Sequence, residues 1–346
     1  MFSVYYCCMS RPARPFSAFA WTPKLAGLFG EAMGAIGRLD ARISASPVAA
    51  AWRTRSSWGG YATALRLQRY EIDEIDAFSF LTGFPIVGRL PIATHGHPFD
   101  DYPDWIRSLG QPKSRHWRDD LPFTFDTPAS WGEAPPLIRA LTMLDIWSRK
   151  DSTAKVWLRF PHLLAGMGLT ATPLPCLVIG DASLRTLYGA RERQLKRLLK
   201  AVQSSAAEGL ERLERLEAWR LECAAVLARE HRPGLLAQLG KLALVQPFMS
   251  ARLTADTFGI TLSGAGKLLM RAASKGLLIE VSGRASWRLY VTPDVGIALG
   301  MVAPPRGRPP SPPQHTEKLD AALAEFDREM DEIDALLARG AVASAG

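Results

Sequence analysis

The chain has 346 residues, of which 47% are hydrophobic and 22% are charged, and it carries a formal net charge of +8 with a pI near 9.5. This composition excludes a wholly disordered chain, because enough apolar residues are present to bury a core, and the length allows two or three modest domains. The excess of basic residues favours an anionic partner such as nucleic acid. No C-x-x-C pair occurs among the four cysteines, so we expect no structural zinc, no disulfide framework and a cytoplasmic location: Cys7, Cys8, Cys176 and Cys223.

The first half of the sequence is predicted to be mainly helical, after a flexible tail at residues 1–22. In MFSVYYCCMSRPARPF the arginines follow the apolar run, which is the wrong order for a secretory signal. Apolar residues at helical spacing predict helices at 23–45, 58–82, 134–149 and 154–168. Residues 85–132 are rich in Pro, Asp and Trp and predict an irregular insert. Four acidic side chains, which we call the acidic group, are expected to form a solvated helix face rather than a metal site: Glu71, Asp73, Glu74 and Asp76.

The second half contains two long helical patterns. Residues 183–230 are dense in Leu, Glu and Arg and predict one helix, which Pro233-Gly234 ends. The apolar stretch PLPCLVIG at 173–180 fits either a buried strand or an extended connector. In residues 316–339 the apolar side chains follow 4-3-4-3-4 spacing at Leu319, Leu323, Phe326, Met330, Ile333 and Leu337. That seam fits either a helix packed on its own domain or a dimerising coiled coil.

The most informative pattern lies in residues 235–293. Helices are predicted at about 235–245, 250–258 and 262–275, and Gly259 supplies the positive φ of a tight turn before the third. The runs LLIEV and WRLYV then flank SGRAS and predict a hairpin. Two helices, a glycine turn, a third helix and a hairpin form the order of a winged helix-turn-helix, whose third helix lies in the major groove of DNA.

The third helix and the hairpin carry the predicted DNA contacts. The outer face of the helix is expected to present Ser263, Lys267, Arg271 and Lys275, and its inner face Leu262, Ala265, Leu268, Leu269 and Ala272. The hairpin adds Arg284, Ser286 and Arg288, placed to meet phosphates or a minor groove. Residues 245–293 hold six basic and two acidic side chains. This charge favours DNA binding, and a winged helix that only docks proteins stays the alternative.

The stretch PPRGRPPSPP at 304–313 contains the PRGRP core of an AT-hook, a short minor-groove binder. Gly307 would let the backbone approach a narrow A·T groove, and Arg306 and Arg308 would lie along its negative floor. The flanking residues add no further Lys or Arg, so an ordinary proline-rich linker also explains the stretch. Both interpretations stay open at this point.

A second motif resembles part of an enzyme family. His97-Pro98-Phe99-Asp100-Asp101 resembles the start of the H-P-F-x-[DE]-G-N-G-R loop of Fic adenylyltransferases, but Tyr102-Pro103-Asp104-Trp105 replaces the phosphate-binding turn. Residues 38–47 resemble the N-terminal helical segment of these enzymes, and residues 135–147 and 155–177 resemble the helices that flank the loop. The resemblance would place the loop at 146–156, where no His or Gly occurs. The resemblance implies a helical Fic-like scaffold without its catalytic loop.

The layout as a whole resembles a set of bacterial proteins, common on rhizobial plasmids, that pair a domain of unknown function with a C-terminal helix-turn-helix. The resemblance covers about residues 25–295. It rests on PLPCLVIG, the long helix and positions of the winged module at Gly259, Lys275-Gly276, Glu280-Val281 and Gly283-Arg284. It implies DNA binding by similarity of layout.

These observations predict a mainly α-helical protein that binds double-stranded DNA as a transcriptional or plasmid-maintenance regulator. The predicted segments are a tail (1–22), a Fic-like domain (23–182), a connecting helix (183–232), the winged helix-turn-helix (233–295), a proline-rich tether (296–315) and a heptad helix (316–340). A homodimer through 316–340 or 183–230 stays open, and no cofactor, metal or membrane span is expected. The alternatives are a divergent or inactive Fic-like nucleotidyl transferase and a protein-interaction scaffold.

Overall fold

The computed structural model describes residues 15–18, 20–82, 98–110, 116–118, 121–151, 153–185, 190–283, 288–298, 300–303 and 316–328. Helices dominate these ranges and accompany one small three-stranded sheet, which confirms the expected mainly α class. The α-helices among them are α1 (Pro23–Ala45), α2 (Ala49–Leu67), α3 (Glu74–Thr82), α4 (Tyr102–Leu109), α5 (Pro136–Lys150), α6 (Lys155–Leu158), α7 (Phe160–Gly166), α8 (Arg191–Arg229), α9 (Leu235–Val245), α10 (Ala251–Phe258), α11 (Leu262–Ser274), α12 (Pro293–Ala298) and α13 (Glu317–Arg328). The strands are β1 (Phe248–Ser250), β2 (Ile279–Glu280) and β3 (Leu289–Val291).

Several helices begin or end at residues that the sequence marks. α1 and α5 each begin with a proline, whose missing N–H would have no partner in the first turn anyway. α9 follows Gly234 and α10 ends at Gly259, and both glycines adopt positive φ, at 52° and 63°. The bounds of α1, α5, α9, α10 and α11 therefore lie close to the predicted ranges.

Other elements differ from the predictions. The helix predicted at 58–82 is two helices, because the chain breaks after Leu67, where Arg69 takes a φ of 67°. α4 lies inside the insert that was predicted to be irregular. The long helix begins at Arg191 rather than near residue 183. PLPCLVIG holds a 3-10 turn at Pro175–Leu177 with extended backbone on either side, so it is a connector and not a strand.

The contacts divide the chain into two compact units, each built from separate stretches. Unit 1 comprises residues 1–40, 60–73 and 96–207, and unit 2 comprises residues 41–59, 74–95 and 208–346. Among the described residues, the chain passes from one unit to the other within α1, α2 and α8 and at the start of α3.

Unit 1 has an aromatic core built around α2, α4 and α6. The rings of Tyr61 and Tyr102 meet edge to face at 5.2 Å, and Trp105 Nε1 donates to the Leu158 carbonyl at 3.0 Å. A Cβ on Gly60 would lie 2.3 Å from the Pro175 carbonyl oxygen. Glycine is therefore required for α2 to approach the connector this closely.

The sheet belongs to unit 2 and has the order β1-β3-β2, with both pairs antiparallel. Phe248 is opposite Val291 in one pair, and Ile279 is opposite Val291 in the other. The hairpin of β2 and β3 matches the prediction, whereas β1 was not predicted. Strand β1 adds Phe248 and Met249 to the buried side chains of the unit.

The described part of the heptad helix is α13, which packs inside unit 2. Leu319 and Phe326 are buried, and Arg220 of α8 makes a bidentate ion pair with Asp327. Phe326 lies beneath the Lys241 ammonium group, 5.8 Å from the ring centroid. Nearby, a Cβ on Gly240 would lie 2.4 Å from Cys223 Sγ. Helices α8 and α9 can approach this closely because Gly240 has no side chain. Burial raises the pKa of the Cys223 thiol to about 12.

Candidate nucleic-acid interface

The predicted interface is built around α11 in unit 2. The turn before the helix uses Gly259 in the left-handed conformation, whose N–H binds the Ala255 carbonyl at the end of α10. Thr261 then caps α11, because its hydroxyl accepts the N–H of Gly264 at 3.1 Å. α11 packs against α10 and α9. These local contacts fix the direction in which its opposite face points.

The buried face of α11 consists of Ala265, Leu269 and Ala272, while Leu268 is half-buried. Leu262, which was predicted to face inward, is instead 60% exposed. The prediction was wrong because Ala265, Leu269 and Ala272 follow the 4-3 spacing of one stripe, and Leu262 at the first turn lies beyond the area that α9 and α10 cover. Met270 is also exposed, at 47%.

Two of the predicted contact residues are open to solvent on this helix. Ser263 and Lys267 are both exposed. Among the described residues, no acidic side chain forms an ion pair with Lys267. Its ammonium group is therefore available to an anionic ligand at the exposed face of α11.

The other two predicted helix residues are engaged within the chain. Glu230, just after α8, accepts Arg271 Nη2 at one carboxylate oxygen and Lys275 Nζ at the other, each at 2.5 Å. Arg271 also donates to the Arg232 carbonyl at 3.0 Å. The hydrogen bonds from Lys275 and Arg271 lower the pKa of Glu230, so it is a carboxylate at neutral pH. The sequence offered no signal for this pairing, because Glu230 is distant in sequence from both cations.

The hairpin presents one described cation. Arg288, just before β3, is exposed, and its Nε lies 3.8 Å from Glu280 in a loose pair. Gly283 takes a φ of 59° at the start of the turn. Arg284 and Ser286, together with Arg306 and Arg308 of the PRGRP stretch, lie outside the described residues. Arg252 on α10 is a further exposed cation, 4.0 Å from Asp256.

A buried arginine of unit 2 connects the end of α9 to α12. Arg55 is 1% exposed and donates to the carbonyls of Ala243 and Leu244, at 2.7 Å each, near the end of α9. It also pairs with Asp294 of α12 at 2.6 Å. Burial lowers the pKa of Arg55, and Asp294 opposes that shift. The last carbonyls of α9, which no helical N–H reaches, are satisfied by this side chain.

Unit 1 contains residues 135–147 and 155–177 of the enzyme resemblance, whereas most of residues 38–47 belongs to unit 2. In the interval 146–156, α5 continues to Lys150 and α6 begins at Lys155, and Thr153 N–H binds Asp151 Oδ1 at 2.7 Å in a short turn between them. Asp145, buried in α5, accepts both Arg149 and Arg191. His97 lies outside the described residues.

A second histidine of unit 1 forms a pair with a serine, but not one suited to nucleophilic catalysis. Ser108 Oγ lies 3.1 Å from His162 Nε2 and donates its proton to the Trp105 carbonyl at 2.6 Å. The hydroxyl proton is therefore directed to the helix backbone, and the imidazole is left to donate rather than to accept.

Unit 1 also holds a cavity of about 200 Å³ lined in part by Phe16, Trp21 and Glu133. Ligand pockets usually measure about 300–1,000 Å³, so this cavity has room only for a small group.

In unit 2, Glu74 of the acidic group binds Arg212 through two oxygens at 2.6 and 2.8 Å, so this carboxylate is neutralised. Within the described ranges, no three His, Cys, Asp or Glu side chains are grouped as metal ligands.

None of the helices among the described residues combines the length and apolar character needed to cross a membrane. No protein-family model matches the chain, and comparison with curated proteins finds no match either.

Proposed function

We propose that unit 2 binds double-stranded DNA through a winged helix-turn-helix formed by α9, α10, α11 and the β2–β3 hairpin. The proposal rests on one observation, which is how α11 is held in place and which of its faces is exposed. This helix is capped by Thr261, follows a positive-φ glycine turn, buries one face on α9 and α10, and leaves the opposite face open with Lys267 on it. A helix held in this way can enter the major groove, where its N-terminal residues meet base edges.

The charges around α11 support an anionic ligand. Lys267 on α11, Arg252 on α10 and Arg288 beside β3 are all exposed cations of unit 2. The acidic neighbours of Arg252 and Arg288 lie at 4.0 and 3.8 Å, and exposed pairs of this length contribute little. A phosphate can therefore compete for both arginines.

The biological role that fits this proposal is transcriptional or plasmid-maintenance regulation. Unit 1 would then serve as a regulatory or partner-binding part, on a Fic-like helical scaffold without the catalytic loop. The proposal that this scaffold lacks Fic catalysis rests on the interval 146–156, which has no His or Gly and contains the end of α5 and the start of α6. The PRGRP stretch stays a candidate hook or linker.

A salt titration tests the DNA proposal. Binding of the full chain to a random 30-base-pair duplex would be measured by fluorescence anisotropy between low and physiological salt. Lys267→Ala should weaken binding and make the slope of log K against log salt shallower by about 0.9, the value for one phosphate contact. Lys200→Ala, the same change at an exposed position of α8 in unit 1, is the matched control and should leave the slope unchanged.

A second arm of the same titration separates the hook from the linker. The double variant Arg306→Ala/Arg308→Ala should lose affinity selectively on A·T-rich duplexes if PRGRP enters a minor groove. Equal affinity of wild type and double variant on every duplex would identify the stretch as a linker. If the folded wild-type protein bound no duplex even at low salt, the DNA proposal would be wrong.

One observation favours a second candidate function, docking of another protein. Leu262 and Met270 expose apolar surface on α11, while Arg271 and Lys275 are occupied by Glu230. A protein-docking function predicts that Leu262→Ala and Met270→Ala change association with a protein and that DNA affinity is absent at every salt concentration. The salt titration therefore decides between the two functions.

A homodimer is part of the proposal, because helix-turn-helix dimers bind paired half-sites. In the described part of the heptad helix, Leu319 and Phe326 are buried within their own chain. This favours the packing of α13 on its own domain and leaves α8 as the other proposed contact. Light scattering over a range of protein concentrations tests the dimer.

A further inference from the structure

The exposed face of α11 is unusual in its chemistry for a DNA-binding helix. Leu262, Ser263, Lys267 and Met270 are exposed along one side of the helix, since positions separated by three and four residues share a face. The two large apolar side chains lie toward the ends of this strip, and Lys267 lies between them in sequence. We call these four residues the α11 strip.

The α11 strip lacks the side chains that bind guanine or adenine through two hydrogen bonds. Guanine is usually bound by Arg or Lys and adenine by Asn or Gln. α11 contains no Asn or Gln, and its one arginine is Arg271, which Glu230 and the Arg232 carbonyl hold at the edge of the helix. Lys267 alone could meet a guanine, and its single ammonium group also suits a phosphate.

Apolar side chains have one partner in the major groove, which is the C5-methyl group of thymine. Leu262 in the first turn and Met270 two turns later both expose apolar atoms that such methyl groups can cover. The exposed cations of unit 2 argue for DNA rather than for a protein as the occupant, because Lys267, Arg252 and Arg288 are open to solvent and the acidic neighbours of the two arginines lie only at 4.0 and 3.8 Å. The strip thus combines an electrostatic attraction to phosphates with apolar contacts to bases.

We propose that α11 recognises thymine methyl groups through Leu262 and Met270, while Lys267 holds the phosphate backbone. Unit 2 would then prefer thymine-containing A·T sites through the major groove. This inference rests on the proposed DNA-binding function and adds the base class that the helix selects. It assigns specificity to two residues that the sequence pattern alone did not place in the interface.

Replacement of thymine by uracil tests the inference directly, because uracil lacks only the C5-methyl group. The full chain would be titrated with a 30-base-pair alternating A·T duplex and with the same duplex containing deoxyuridine. The minor groove and the Watson–Crick pairs are the same in both. We expect about fourfold weaker binding for each contacted methyl that is lost, which corresponds to about 0.8 kcal/mol for one buried CH₂ group.

The variants Leu262→Ala and Met270→Ala should each reduce the preference for thymine over uracil. Both positions are exposed, and alanine is the best helix former, so these changes leave α11 intact. Phe80→Ala is the matched control, since it also removes an exposed apolar side chain of unit 2 but lies on α3. This control should keep the wild-type preference.

The possible results separate the inference from the function on which it rests. Equal binding to the thymine and uracil duplexes, with Lys267→Ala still weakening both, would overturn thymine recognition and leave DNA binding in place. No binding to either duplex by folded protein would overturn both. A wild-type dimer that Leu262→Ala and Met270→Ala convert to monomer, with equal binding to the two duplexes, would assign the strip to a second copy of the chain.

Discussion

Each unit contains a carboxylate that binds two cationic side chains, and the two sites differ mainly in burial. Asp145 of unit 1 is 1% exposed and pairs with Arg149 and Arg191, with Nη–Oδ distances of 2.6 Å for Arg149 and 2.9 Å for one Arg191 nitrogen. Glu230 of unit 2 is 13% exposed, while its partners Arg271 and Lys275 are 40% and 43% exposed. The same set of charges therefore occurs once inside a core and once at a surface.

The difference in burial decides what each carboxylate can do. A buried carboxylate has lost its hydration, so it depends on its partners, and loss of one member leaves uncompensated charge in a poorly solvated place. The cations at a surface are hydrated when they leave the carboxylate, so a phosphate can replace it at little cost. Asp145 is thus expected to serve the stability of unit 1, whereas Glu230 is expected to compete with DNA for Arg271 and Lys275.

The largest expected effect is on the stability of unit 1. Asp145→Asn removes the charge that Arg149 and Arg191 share, and it should lower the free energy of unfolding by about 3–5 kcal/mol. Urea denaturation followed by tryptophan fluorescence measures this change. Asp104→Asn is the control, because Asp104 is exposed and pairs with Arg107 of the same helix at 2.9 Å. Similar losses in the two variants would mean that burial does not distinguish these sites.

The next effect concerns DNA affinity. Glu230→Gln removes the competing charge and should free Arg271 and Lys275 to bind phosphates. We expect tighter binding at low salt and a slope of log K against log salt that is steeper by about 0.9 for each cation released. Glu214→Gln, the same change at an exposed position of α8, is the matched control. Weaker binding by Glu230→Gln would show that the carboxylate positions the two cations instead of competing for them.

The smallest effect is on the pH dependence of stability. The folded-state pKa of Glu230 is below its unfolded value, because Lys275 and Arg271 donate hydrogen bonds to the carboxylate. Its contribution to stability is therefore present above the unfolded pKa and is lost as pH falls through the folded pKa. We expect Glu230→Gln to lose less stability than Glu214→Gln between neutral and acidic pH. Equal losses in urea denaturation would contradict this assignment.

The sequence predicted α1 and α9 from their apolar periodicity, and Gly259 added a local signal for the turn between α10 and α11. It did not predict the break after Leu67, since Arg69 adopts positive φ where neither Gly nor Pro marks a turn. α4 was missed although its buried residues Tyr102, Trp105 and Leu109 follow helical spacing, because the helix is only eight residues long and the Pro and Asp residues around it indicated a loop. β1 was missed because its strand character depends on pairing with the distant β3.

The candidate site was predicted in part. Local pattern placed Ser263 and Lys267 on the open side of α11, and both are exposed there. It also predicted that Leu262 would be covered and that Arg271 would be unpaired, whereas Leu262 is 60% exposed and Arg271, itself 40% exposed, is paired. Glu230 holds Arg271, and α9 and α10 leave Leu262 uncovered. Both outcomes depend on which elements meet in space, and helical periodicity contains no such information.

The central position of β3 has a consequence for the order of folding. β3 pairs with β1 on one side and with β2 on the other, and α10, α11 and β2 all lie between β1 and β3 in the chain. The ends of the chain segment between β1 and β3 must therefore come together before the sheet is complete. This long-range closure costs conformational entropy that local helix formation does not. During synthesis, the helices can form as they emerge from the ribosome, but the three-stranded sheet must wait until Val291 has been released.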